Sequence, residues 1–261
     1  MAGQLTSRWI VAVTVCIVAV VVADIVRRAW PVAAPAVVRE SLTPAPAPAA
    51  PVVSSPPAAG AVPAGPGYIE QLARAETRRR LRASAGVTYL NDFLATSADS
   101  MLHRWDNRIT NPVRVYLAAG RAANYQPEFA DAVRWAFARW ESAGVPVRFN
   151  LLADSSSAEV SVRWRIQFDI DRSGQTDLTW NADGHIETGV ITLATFDPQG
   201  RPMAAADIRV VALHEVGHVI GLDHSLDSTD LMYAVSRVGD LSDRDVQSAR
   251  LLYALSPGSI R

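Results

Sequence analysis

His214-Glu215-Val216-Gly217-His218-Val219-Ile220-Gly221-Leu222-Asp223-His224 is the stretch from which the fold can be read outward. Two histidines four positions apart share one face of a helix, one turn from each other, so their rings can converge on a single cation. Glu215 sits about 100° around the same helix, where its carboxylate reaches the open side of such a cation without being a ligand. Continued helix would carry His224 about 600° beyond His218, well off the shared face. The chain must therefore turn, and Gly221 accepts the left-handed conformation that ends a helix and brings His224 back.

Three neutral imidazoles with one open position form the ligand set of a catalytic zinc, whereas a structural site is closed by a fourth protein ligand. The competing reading, an amphipathic core helix with incidental histidines, has to explain why three of the chain's 5 histidines fall at this spacing. Expected metal ligands are thus His214, His218 and His224, with Glu215 as the catalytic base and Gly221 in support.

The segment His214 to Ser225 resembles the metzincin zinc endopeptidases, and Ser225 directly after the third histidine resembles the matrixin, or matrix-metalloproteinase-like, branch (peptidase family M10). Metzincins carry a methionine turn beneath the metal, and Leu231-Met232-Tyr233 is similar to it. Matrixins usually follow Met-Tyr with proline, where this chain has Ala234. The resemblance implies a zincin-like α+β catalytic domain with a twisted mixed sheet of about four to five strands, an active-site helix, the turn at Met232 and a C-terminal helix. It also implies hydrolysis of protein or peptide substrates.

The charge of −1 argues against a nucleic-acid partner. One cysteine, Cys16, excludes an intrachain disulfide and leaves no thiol in the later chain to hold a zinc in a latent state, as a propeptide cysteine does in animal relatives of the resembled family. Trp9 to Ala23 is an apolar run with only Thr14 mildly polar, flanked by Arg8 and by Arg27 and Arg28. Its length lies between a signal-peptide core and a minimal span, and two readings stand: a signal peptide cleaved near Val21-Val22-Ala23, or a retained transmembrane helix. Either means an extracytoplasmic protein, secreted or membrane-anchored. Residues 31–66 are rich in proline and alanine and read as a disordered, semi-rigid linker. The expected organisation is a signal peptide or anchor over 1–30, the linker over 31–66, a helical lead-in over 67–109 and the metallopeptidase domain over 110–261.

Within the lead-in, Tyr68 to Ala85 reads as a solvated basic helix with the run Arg78 to Arg80, and His103 as a surface or capping residue. Val113 to Leu117 alternates as a strand, Pro127 opens a helix with Phe129, Val133, Phe137 and Trp140 on one face, and strands follow at Val147 to Leu151, Val160 to Ile166 and Gly189 to Thr195. That order matches the catalytic domain of the resembled family over Asn111 to Ser256. The fourth strand, at 189–195, is the expected substrate edge. Asp169 to Asp177 reads as an acidic loop: an EF-hand fails because Trp180 stands where a glutamate is needed, leaving a looser Ca²⁺ site as a further option. His185 has too few histidine neighbours for a second zinc, so one zinc is expected. Asp207 is expected to cap the motif helix, and Ser242 with Asp245 to form a capping box on the last one. No C-terminal substrate module is expected after it. The loop 231–240 would shape the S1′ pocket. The expected function is a monomeric zinc-dependent endopeptidase acting on extracytoplasmic proteins, with a zinc-bearing binding or adhesion module as the alternative.

Overall fold

The computed structural model describes residues 67–92 and 100–261; the apolar run at 9–23 and the linker over 31–66 lie outside them. Helix α1 (Tyr68–Ala83) leads to strand β1 (Met101–Leu102), followed by β2 (Arg108–Leu117), α2 (Pro127–Ser142), β3 (Val147–Leu152), β4 (Val160–Arg165), β5 (Gly174–Trp180), β6 (Ile186–Ala194), α3 (Ala205–Val219), α4 (Asp243–Ala254) and β7 (Gly258–Ser259). Five strands form one mixed sheet in the order β3-β2-β4-β6-β5, and β1 pairs with β7 in a separate two-stranded ladder. Only β5 runs antiparallel to its neighbour in the larger sheet. No helix among the described residues is long and apolar enough to cross a membrane.

Hydrophobic spacing explains how α2 lies on the sheet. Pro127 begins it at a position where a missing N–H costs nothing, and Phe129, Ala132, Val133, Ala136, Phe137 and Trp140 are its buried residues, recurring every three or four positions. α3 packs beside α2 and against β5 and β6, so the motif helix is wedged between a helix and the sheet. From Ala212 through Gly217 every residue of α3 is buried, as its nearly continuous apolar sequence requires. Asp207 does take part in its N-terminal cap: its carboxylate accepts from Ala204 N at 2.8 Å. Ser242 and Asp245 form the reciprocal capping box on α4.

Three expectations change. The acidic stretch 169–177 is not loop throughout, because from Gly174 it is strand β5, joined to β6 by the turn at Asn181 to Gly184. The strand at 189–195 is therefore not the substrate edge. β6 is covered by β4 on one side and β5 on the other, and the edge facing the motif helix is β5. The arginine run on α1 is not simply solvated either: Arg79 pairs with Glu76 in water, but Arg80 donates to Ala254 O at 2.8 Å and Arg78 donates to Ile260 O. Leu81, Tyr89, Leu90, Leu102 and Trp105 of the lead-in belong to the same buried cluster as the sheet and helices.

Candidate metal centre

Helix α3 presents His214 and His218 on one face, and Gly221 ends it with φ of +100°. A side chain at 221 would be strained by that φ, and its Cβ would overlap the carbonyl oxygen of His103. Aromatic donors complete the helix end: Trp105 Nε1 donates to Val219 O at 2.8 Å and Tyr253 OH to Ile220 O at 3.0 Å, filling carbonyls that have no partner within the helix. The turn returns His224 to the other two. Ring centroids are 4.9 Å apart for His214 and His218, 5.3 Å for His214 and His224, and 4.8 Å for His218 and His224. One nitrogen from each of the three lies within 4.8 Å of the others.

The tautomers follow from the hydrogen bonds. His214 Nδ1 is 2.9 Å from Leu231 O, and His218 Nδ1 is 2.8 Å from Leu222 O. A carbonyl only accepts, so each Nδ1 carries the hydrogen and each Nε2 keeps a lone pair. Those two Nε2 atoms face each other at 3.1 Å, an arrangement of two acceptors that suits a cation between them. Burial, and behind it the neighbouring His218, pulls His214 down to about 4. Burial, with His224 next, does the same to His218. Both are thus neutral and ready as ligands at neutral pH. His224, also lowered by burial, is the most exposed of the three. Neutral imidazoles converging with paired lone pairs fit zinc, and the residues that would hold it are His214, His218 and His224.

Glu215 is buried beside them, and desolvation raises its carboxyl above the usual range. Thr176 of β5 donates to its Oε2 at 2.7 Å. The three histidines, Glu215, Thr176 and the loop Val235 to Gly239 line one cleft of about 1250 Å³.

The matrixin family of peptidases matches residues 114–254, more than half of the chain. This chain belongs to the matrixin family. Among relatives, metalloendoproteinase 1-MMP of Arabidopsis thaliana is 25% identical over 187 residues, which is 66% of this matrixin and 51% of the relative. Metalloendoproteinase 2-MMP of the same plant is 40% identical over 58 residues, 21% of this chain and 15% of the relative. Metalloendoproteinase 1 of Glycine max is 33% identical over 78 residues, 28% of this chain and 26% of the relative. The chain thus spans about half the length of 1-MMP and less of the other two.

In this matrixin the supporting residues of the motif meet in a buried polar network. Met232 is fully buried, with its sulfur in the space a Cβ on residue 217 would need. Ser225 N donates to Met232 O at 2.8 Å, and the Ser225 hydroxyl donates to Asp230. Asp245, with no exposure, accepts from Leu231 N and Ser242 N at 2.8 Å and from Tyr89 OH at 3.2 Å. Because Leu231 O in turn holds His214, the last helix fixes the turn that orients this imidazole.

Several of these residues escape a reading of the motif alone. Thr176 sits in a strand too polar to show alternation, although Asn181-Ala182-Asp183-Gly184 is a hairpin signal that points to it. Asp245 carries no signal beyond capping, and Asp230 carries none. His103 is not a surface or capping residue: half-buried, it stacks on Trp180 at 4.1 Å and lines the cleft. His185 lies in a bridge with Arg104, and its N–H donates to Asn181 Oδ1. Of the acidic residues considered for calcium, Asp169 lies beside Arg165 at 3.7 Å and Asp177 accepts from the Gln175 side chain.

Proposed function

We propose that this matrixin is a zinc-dependent endopeptidase that cleaves extracytoplasmic proteins, with His214, His218 and His224 as zinc ligands and Glu215 as general base. The observation that carries the reading is the convergence of three neutral imidazoles with a buried carboxylate at their side. The names of the relatives, all metalloendoproteinases, support it. When bound, zinc would supply the Lewis acidity that polarises a peptide carbonyl and makes water acidic enough to attack it near neutral pH. Glu215 takes the proton from the attacking water on a carboxylate oxygen and returns it to the leaving nitrogen. Its raised affinity for protons, a result of desolvation, suits a group that must both receive and release one. Among the described residues β5 has one free edge, and it offers an extended peptide backbone partners by strand addition beside the triad. The apolar run at 9–23, read as a signal peptide or an anchor, supports action outside the cytoplasm.

The test is a cleavage profile of the zinc-loaded full chain on a proteome-derived peptide library, with a chelator arm and Glu215→Gln. Cleavage should vanish with the chelator and in Glu215→Gln, while that variant keeps its zinc. Undiminished cleavage by zinc-loaded Glu215→Gln sinks the assignment of the base.

A further inference from the structure

The side chain that meets the proposed base comes from the edge strand. In β5 alternate residues point to one side, so Gly174 and Thr176 both face α3. Thr176 Oγ1 donates to Glu215 Oε2 at 2.7 Å and lies 3.1 Å from Glu215 O. Glu215 Oε1 fills the room left by the missing side chain at 174, where a Cβ would overlap both that oxygen and Val211. One carboxylate oxygen is thus hydrogen-bonded by the strand and the other is seated against it. A glutamate has three rotatable side-chain bonds, and a base misplaced by about 1 Å can lose about 100-fold in rate. The clamp removes that freedom.

We infer that Thr176 is a positioning residue for the reaction: its hydroxyl holds the Glu215 carboxylate in the place from which it acts as base. The strand offered to the substrate is therefore also the strand that sets the base, and a peptide lying along β5 is aligned with Glu215 through one element. This rests on the endopeptidase reading. Threonine suits the position because its branched side chain fits a strand while its hydroxyl supplies the donor. The single hydroxyl hydrogen has two acceptors within reach, Oε2 and the main-chain oxygen of Glu215, so it stays hydrogen-bonded if the carboxylate shifts during turnover.

Thr176→Val keeps the shape and removes the donor; Thr176→Ser keeps the donor and drops a methyl. In the zinc-loaded full chain Thr176→Val should lower kcat about 10- to 100-fold with KM within about twofold. Zinc content should equal the parent's, and Thr176→Ser should recover most of the rate. A second readout needs no catalysis. In the metal-free chain Thr176→Val should lower the thermal midpoint in the parent background and measurably less in a Glu215→Ala background, because the hydrogen bond is already gone there. Unchanged kcat in Thr176→Val, equal impairment of Thr176→Ser, loss of zinc in Thr176→Val, or equal midpoint losses in the two backgrounds each overturn the inference. If the parent cleaves nothing, the endopeptidase reading fails by itself, and the metal-free cycle still decides whether Thr176 holds Glu215.

Discussion

The helix-borne histidines and the loop-borne one solve the same problem by different means. His214 and His218 sit at fixed helical spacing, are pulled down to about 4 by burial, and are each oriented by a backbone carbonyl, from Leu231 and Leu222. His224 has a side chain 46% exposed, with Asp223 Oδ1 3.8 Å from its Nδ1. Its place depends on the turn at Gly221 before it and on the anchoring of Ser225 after it. His214 is buried and His218 half-buried, and each is held by a backbone carbonyl, so their loss should harm the fold. The third imidazole is placed by the turn, so its loss should harm metal binding alone.

The sharpest way to break that comparison is to truncate one member of each kind. Both His218→Ala and His224→Ala should abolish peptide cleavage to the limit of detection, since three ligands define the catalytic zinc site. They should part in the metal-free state. His218→Ala strips Leu222 O of its partner, which should cost about 1–3 kcal/mol in urea unfolding. His224→Ala should stay within about 0.5 kcal/mol of the parent, the usual scale for an exposed side chain. Equal losses would show that the loop histidine is as integral to the fold as the helix pair.

Next in size is the network under the methionine turn. Asp245→Ala leaves Leu231 N and Ser242 N without their acceptor and should destabilise the protein by about 3 kcal/mol, with weaker zinc retention because Leu231 also orients His214. Chemical denaturation and zinc titration read the two effects separately. Gly221→Ala should follow at about 1–3 kcal/mol, through the strained φ of +100° and the overlap with His103 O. Its loss of zinc affinity should be traceable to His224, so that it resembles His224→Ala in metal binding but not in stability. The smallest effect belongs to the surface of α1, where replacing Glu76 by Gln breaks an exposed pair with Arg79 and should leave the melting temperature unchanged within error.

How far the site was legible follows the same division. His214, Glu215 and His218 stand at a spacing that only a helix brings together, so the residues name their own geometry. Gly221 marks the turn because few residues accept its conformation. Thr176 offers no such mark. A hydroxyl in a polar edge strand matters here only because β5 lies against α3, and no local pattern reports which surfaces meet. The same holds for Tyr89 and Asp245, joined through the core across a long stretch of chain.

By itself the sequence determined the three-histidine motif, the turn that returns its third imidazole, the helices and strands with strong periodicity, and the apolar run near the start. These depend on interactions between residues close along the chain, whose geometry is set by backbone dihedrals and side-chain spacing. Only the tertiary structure decided that β5 exists and is an edge of the sheet among the described residues, that Thr176 donates to Glu215, that His103 reaches the cleft, and that the last helix holds the turn at Met232. Those features depend on the packing of segments distant in sequence, where strand pairing and buried hydrogen bonds are selected by the fold as a whole.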